Sequence, residues 1–163
     1  MIGLPRRMIR YAPLLALVVA AWLVPATPAS ADPVVDLNCT NNVTVEINPG
    51  ITLQPQHVDL TSLGMTGTAN CTGTVNGETV TGPGQISIMN QLIASCGSAS
   101  GQGEFVLSVP TTSGTATVSG TYTVEGTTLT GDLTGSATII STMGNCVTTP
   151  VTQATFVQTV DVT

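Results

Sequence analysis

The 163-residue sequence contains no lysine, and its three arginines, Arg6, Arg7 and Arg10, all lie within the first ten residues. All nine aspartates and glutamates lie in residues 32–163, which therefore carry a net side-chain charge of −9 when His57 is neutral. Nucleic-acid binding needs cations opposite the phosphates, and an anionic membrane surface repels an acidic chain. We therefore expect no nucleic-acid partner and no stable membrane association.

Aromatic residues make up only 3% of the sequence. Within residues 32–163 they are Phe105, Tyr122 and Phe156, and each falls on the apolar face of an alternating segment. We expect all three rings to pack in a core. Sugar-binding sites usually present exposed aromatic rings. The small number of aromatic residues therefore argues against a glycosidase built on two carboxylates.

The first 31 residues have the pattern of a secretory signal peptide. A positively charged start precedes the apolar run Leu14 to Val24, which is too short to span a bilayer comfortably. Ala29-Ser30-Ala31 then fits a small-x-small cleavage site. We expect cleavage before Asp32 and a secreted, extracellular domain over residues 32–163. An uncleaved anchor is the alternative, and the Arg6-Arg7 pair lacks the flanking residues of twin-arginine export.

Four cysteines lie in the exported domain, and three of them follow an asparagine. Disulfides persist outside the cell, and an even count in a small domain predicts that all four are paired. The wide spacings lack the close pairs of zinc sites, and only His57 could activate a catalytic thiol. The Asn-x-Thr matches at Asn38, Asn42 and Asn70 would need glycosylation machinery, whereas the leader and composition look bacterial.

Four cysteines allow three pairings. We favour Cys39–Cys71 and Cys96–Cys146, because strands on either side of a turn near residues 48–50 would bring the first pair together. The other two pairings stay open at this point.

Threonine, valine and glycine dominate residues 32–163, and threonine and valine favour strands. Apolar residues alternate with polar ones in segments 43–47, 86–92, 105–109, 116–124 and 129–139. No segment predicts a long amphipathic helix. We predict an all-β fold of about six to nine antiparallel strands, closed into a single barrel, with a β-sandwich as the alternative.

Turn signals separate these segments. Asn76-Gly77 is the strongest, because this dipeptide favours a tight hairpin turn. The glycine-rich run 97–103 lacks the strand-then-helix context of a phosphate-binding loop, and we interpret it as a flexible connection.

The segments NPGITLQPQ at 48–56, GTANCTGTVNG at 67–77 and TGPGQ at 81–85 resemble a group of small secreted actinobacterial proteins of unassigned function. The resemblance covers most of residues 32–163. It implies an exported β domain and brings no activity with it.

Catalytic and metal-binding patterns are weak in this sequence. His57 is the only imidazole, no serine lies in a Gly-x-Ser-x-Gly elbow, and we interpret His57 as a solvated loop-edge residue. The acidic pairs Asp32/Asp36 and Glu125/Asp132 lack the pattern of a calcium loop. We expect no catalytic residue, no metal site and no cofactor.

The sequence favours an exported, acidic, disulfide-stabilised β domain that is a monomer and acts as a non-enzymatic binding or surface module, with an unknown ligand or cell-surface partner. A carrier of a hydrophobic small molecule is one alternative, since the composition resembles that of enediyne chromoprotein apoproteins, whose disulfides are shorter-range. An extracellular hydrolase using carboxylates or His57 is another, and a protease inhibitor with a rigid loop near Cys96 or Cys146 is a fourth.

We predict that trypsin will not cut the secreted protein, even after denaturation and reduction, because residues 32–163 contain no lysine or arginine. The measurement is the mass spectrum of the reduced, digested protein. A single uncut mass that begins at Asp32 is expected, and tryptic fragments would show that the chain retains part of residues 1–31.

Overall fold

The computed structural model describes residues 33–63 and 67–163, and residues 32–163 form one compact unit. The proposed signal peptide and its cleavage site lie outside the described residues. In the described ranges the regular elements are all strands, and no helix there could cross a membrane. The ten strands are β1 (Val35–Ile51), β2 (Gln56–Ser62), β3 (Gly67–Val75), β4 (Glu78–Thr79), β5 (Gly84–Ser95), β6 (Ser98–Thr111), β7 (Gly114–Glu125), β8 (Thr128–Gly131), β9 (Leu133–Met143) and β10 (Val151–Val162).

Eight of the strands form a ring-like antiparallel sheet. The pairing order is β1, β10, β9, β8, β7, β6, β5 and β2, after which β2 pairs with β1 again. The predicted all-β antiparallel fold is confirmed. The strand count exceeds the expected six to nine because β4 and β8 span only two and four residues, too few to show alternation.

Strands β2 and β3 share the space between β1 and β5. The end of β1 pairs with β2 and its beginning pairs with β3, while β5 likewise pairs with β2 and then with β3. Where β2 ends, the buried Ser62 hydroxyl accepts a hydrogen bond from the Ile88 backbone N–H at 3.1 Å. A side-chain oxygen thus accepts the hydrogen bond of a β5 backbone N–H at the point where the partner strand of β5 changes from β2 to β3.

The core lies inside the ring and consists mainly of aliphatic side chains at alternate positions of the long strands. The three aromatic rings predicted to be buried are buried, and the centroids of Phe105 and Tyr122 lie 6.4 Å apart. This separation falls within the range of favourable aromatic contacts. Ile139, expected on the same apolar face as Leu129 and Leu133, is instead 38% exposed.

Both favoured disulfides are present. Cys39 and Cys71 face each other in the β1–β3 pairing with their Cα atoms 4.1 Å apart, and both belong to the core. Cys96 follows β5, and Cys146 lies between β9 and β10, so the second disulfide joins two connections. Each disulfide is expected to stabilise the fold by about 3–4 kcal/mol, mainly by restricting the unfolded chain.

The asparagines before the cysteines have separate roles. The Asn38 amide donates to the Asp161 carboxylate on β10 at 2.8 Å. The Asn145 side-chain oxygen accepts the backbone N–H groups of Val147, Thr148 and Thr149 at 2.9–3.2 Å, which folds the connection that holds Cys146. No single mechanism therefore explains the recurrent Asn-Cys dipeptide.

Three local predictions have different outcomes. Asn76 and Gly77 both have positive φ, 53° and 79°, as a tight primed hairpin turn requires. The turn expected at 48–50 is wrong, because β1 continues to Ile51 with a shift of register against β10 after Glu46. The flexible connection expected at 97–103 is also wrong, because β6 begins at Ser98 and pairs on both sides. Gly101 and Gly103 lie within β6, where an added Cβ would lie within about 3 Å of the Leu92 or Tyr122 side chain.

We predict that Gly103→Ala lowers the free energy of unfolding by about 1–3 kcal/mol, because the added Cβ would overlap the buried Asn90 amide and the Tyr122 ring. Gly97→Ala is the matched control, since nothing lies within 4 Å of its added Cβ. Urea unfolding of both variants measures the difference. Equal midpoints would contradict the close packing at Gly103.

Candidate binding trough

The residues singled out in the sequence do not assemble into a catalytic group. His57 and Asp59 are exposed on the same face of β2, and neither His57 nor Ser100 across β5 makes a side-chain hydrogen bond among the described residues. Ile93 stands between His57 and Ser100 in the sheet register. His57 lies in a strand rather than at the edge of a loop, as the sequence had suggested.

The acidic pairs considered for calcium are also separate. Asp132 accepts a hydrogen bond from the Thr121 backbone N–H at 2.9 Å, and Glu125 lies at the end of β7. Asp32 lies outside the described residues. Over residues 33–63 and 67–163, no three His, Cys, Asp or Glu side chains gather where they could hold a metal ion.

A trough lies on the outer face of β2, β5, β6 and β7. Its middle part encloses about 570 Å³. Two rows of outward side chains line it in register, Asp59–Gln91–Gln102–Thr123 and Thr61–Met89–Glu104–Thr121.

Two further hollows extend this trough along the strands. One, of about 440 Å³, shares Asp59, Gln91 and Gln102 with the middle part, and the other, of about 260 Å³, shares Thr61, Met89 and Glu104. From Ser100 to Val106 the combined trough follows β6 for about 20 Å, at roughly 3.3 Å per residue. Its length is that of a short extended polymer segment.

The lining of the middle part combines amides, hydroxyls, two carboxylates and a flexible apolar side chain, while the two end hollows add His57, Ile93 and Val106. Gln91 and Gln102 can each donate and accept hydrogen bonds, and Met89, which is exposed, can adapt its shape to a ligand. Asp59 and Glu104 have no lysine or arginine nearby, because residues 32–163 contain none. The trough therefore suits a ligand that is rich in hydrogen-bonding groups and is neutral or cationic.

The floor beneath the trough is held by a buried polar pair. Tyr122 donates its hydroxyl proton to the Asn90 side-chain oxygen at 2.6 Å, and Gly103 on the intervening strand leaves room for both side chains. Burial raises the pKa of the Tyr122 hydroxyl well above its ordinary value, although the hydrogen bond with Asn90 partly offsets this. The trough thus has an uncharged, hydrogen-bonded floor.

The interior offers little space for a ligand. An inner hollow bordered by Asn90, Tyr122, Phe156 and Gln158 holds about 10 Å³, roughly one water molecule. A separate hollow of about 310 Å³ lies beside Cys146, lined by the connections at 52–54 and 146–150. The trough is larger than either and has more hydrogen-bonding side chains than the inner hollow.

Sequence reasoning missed the trough because its residues come from four strands. The alternating pattern placed Met89, Gln91 and Glu104 opposite the apolar residues, but it gave no register between β5 and β6. Gln102 lay in the segment interpreted as a flexible connection. One local signal of a binding surface was Met89, an apolar residue between polar residues on the outer face of β5, and it is exposed.

No family model, no curated protein and no solved structure matches this chain. The interpretation of the trough therefore depends on its own geometry and chemistry.

We predict that Tyr122→Phe lowers the free energy of unfolding by about 1–3 kcal/mol at neutral pH, because it leaves the buried Asn90 oxygen without its donor. The phenol has a higher pKa in the folded than in the unfolded chain, so its stabilising contribution is complete below about pH 10 and declines above it. The stability difference between the two proteins should stay constant up to about pH 9 and shrink above about pH 10.

Absorbance of the phenolate provides the control, since Tyr122 is the one tyrosine of residues 32–163. The folded protein should show no phenolate at about pH 10, where the unfolded chain is half ionised. Ordinary titration of the folded protein would contradict a buried, hydrogen-bonded phenol.

Proposed function

We propose that this protein is an exported, non-enzymatic binding module whose trough holds an extended polypeptide segment carrying basic side chains. The observation that carries the proposal is the trough itself, three adjoining hollows that together follow β6 for about 20 Å, with an acidic, hydrogen-bonding lining in the middle part. About six extended residues would fill this length.

The floor strands decide how such a segment would bind. β5 and β6 pair with neighbours on both sides at the trough, so a ligand cannot add to the sheet as a further strand there. It would instead contact side chains, with the Gln91 and Gln102 amides bonding its backbone and Met89 packing against an apolar group.

Charge favours a basic segment over an acidic one. Asp59 and Glu104 stand on opposite sides of β5 and are about 12 Å apart at their Cα atoms, from two strand spacings and a two-residue offset. Along the trough the two carboxylates are offset by two residues, which is the spacing of two side chains on the same face of an extended peptide. Lysine or arginine at such positions could reach one carboxylate each.

The alternatives receive less support from the same geometry. A carrier of a hydrophobic molecule would need an apolar cavity, and the inner hollow of about 10 Å³ is far smaller than known ligand pockets. For a hydrolase that uses His57, no nucleophile–base pair supports the activity, since neither His57 nor Ser100 makes a side-chain hydrogen bond among the described residues. We therefore favour binding without turnover.

We predict that the double variant Asp59→Asn, Glu104→Gln binds an extended basic hexapeptide about tenfold more weakly than the wild type. The probe is a fluorescently labelled peptide of alternating lysine and threonine, followed by fluorescence anisotropy. The physical reason is the loss of two charge contacts with little change of shape.

The control is the double variant Asp36→Asn, Glu78→Gln, which removes the same charge outside the trough and lets residue 78 still accept a hydrogen bond from the Thr112 hydroxyl. Its affinity should stay within about threefold of the wild type. Equal losses in both variants would indicate general attraction to an acidic protein, and an absence of binding by the wild type would overturn the basic-peptide ligand.

A further inference from the structure

The outward side chains of β5 and β6 form four rows across the trough, each roughly 6.6 Å from the next. The rows pass in order through Ile93, Gln91, Met89 and Ser87 of β5, and β6 contributes the residue opposite each of them. An extended segment that lies along the trough presents every second side chain to these rows. Its first, third, fifth and seventh residues therefore meet one row each.

The two end rows of the trough expose aliphatic side chains. Ile93 is 47% exposed in the first row, and Val106, opposite Ser87, is 38% exposed in the fourth. The hollow around Val106 is also lined by the buried Ile88 and Phe105. An apolar side chain of a ligand placed at either end would remove aliphatic surface from water on both sides of the contact.

The carboxylates of the trough lie in its two middle rows. Asp59 stands opposite Gln91 in the second row, and Glu104 stands opposite Met89 in the third. A cation on the third or fifth residue of an extended segment would meet one of these carboxylates. The sign of the charge therefore changes the character of the trough from its ends to its middle.

The immediate neighbours in the end rows contain no carboxylate. Ile93 stands between His57 and Ser100, and Ser87 stands beside Val106. Glu125 continues the first row on β7 but lies beyond Ser100, two strand spacings or roughly 9.6 Å from Ile93. The exposed aliphatic side chains at the ends are thus separated from acidic groups.

Met89 is the one exposed apolar side chain in the middle rows, and it is compatible with a basic ligand residue. It is 56% exposed and lies beside Glu104. Lysine and arginine carry an aliphatic stem before the charged group, and such stems pack on apolar surface. Met89 can therefore contact the stem while the Glu104 carboxylate meets the charge.

We infer that the trough selects a segment in which two basic residues are flanked by apolar ones, in the order apolar-x-basic-x-basic-x-apolar. This inference rests on the proposed function, because it names the sequence pattern of the basic segment proposed above. The two basic side chains meet Asp59 and Glu104, and the two apolar side chains meet Ile93 and Val106. The pattern reads the same from either end, so it holds for both directions of the segment.

The same rows disfavour other segments. An acidic segment is repelled by both carboxylates. A wholly apolar segment would cover Asp59 and Glu104 without pairing them, and burying an unpaired charge is costly. A uniformly basic segment would place cations over Ile93 and Val106, where it gains no apolar contact.

Three labelled seven-residue peptides with blocked termini test the pattern by fluorescence anisotropy. VTKTKTV has the inferred pattern, KTVTVTK has the same composition with the two residue types exchanged, and TTKTKTT keeps the charges but lacks the apolar residues. We expect VTKTKTV to bind about tenfold more tightly than KTVTVTK and about fivefold more tightly than TTKTKTT.

The double variant Ile93→Thr, Val106→Thr tests the end rows, because threonine keeps the branched shape that suits a strand and removes apolar surface. It should bind VTKTKTV about fivefold more weakly than the wild type and bind TTKTKTT within about twofold, which also shows that it is folded. The matched control is Ile140→Thr, Val147→Thr, which changes two exposed aliphatic side chains outside the trough and should alter neither affinity.

The outcomes separate this inference from the proposed function. Equal affinities of VTKTKTV and KTVTVTK, or equal losses in the two double variants, would overturn the pattern while a basic ligand remained supported. Equal affinities of VTKTKTV and TTKTKTT would show that the end rows contribute nothing and would also overturn it. An absence of binding by all three peptides would overturn the proposed function and the pattern with it.

Discussion

The antiparallel pairing of β1 with β10 is the constraint on which the rest of the fold depends. It joins Leu37 to Val162 and continues to Glu46 and Gln153, so the first and last strands complete the ring. Because β1 uses its other edge for β3 and β2, both of its edges are occupied. The long strands can then direct one face into a shared core. Within this core the Cys39–Cys71 disulfide links β1 to β3 covalently.

The absence of cationic side chains decides how polar groups are distributed. No lysine or arginine in residues 32–163 can neutralise a carboxylate, so burying one would be costly. The polar groups inside the ring are accordingly uncharged, such as the Tyr122–Asn90 pair and the Asn41–Gln158 pair. The carboxylates remain outside the ring, and those of Asp59 and Glu104 give the trough its negative charge.

Alternation along the chain predicted the fold class and the buried rings, because both depend on residues close in sequence. The export signal and the even cysteine count predicted two disulfides, and the favoured pairing is present although the turn expected at 48–50 is not. Sequence reasoning failed at Gly97 to Gly103, where glycine composition suggested a loop but the curved sheet needs small residues beside Tyr122. It also placed Ile139 inside, since sequence cannot show that β8 stops short of it. The trough depends on register, which single-strand patterns do not specify.

Binding at the trough would depend on side chains rather than on the backbone. β5 and β6 are fully paired there, so affinity would come from hydrogen bonds of the Gln91 and Gln102 amides and from attraction to the Asp59 and Glu104 carboxylates. Both carboxylates are exposed to solvent, so salt would weaken this attraction. The absence of lysine and arginine in residues 32–163 leaves these carboxylates without an ion pair inside the chain, and a basic ligand would therefore not have to displace one.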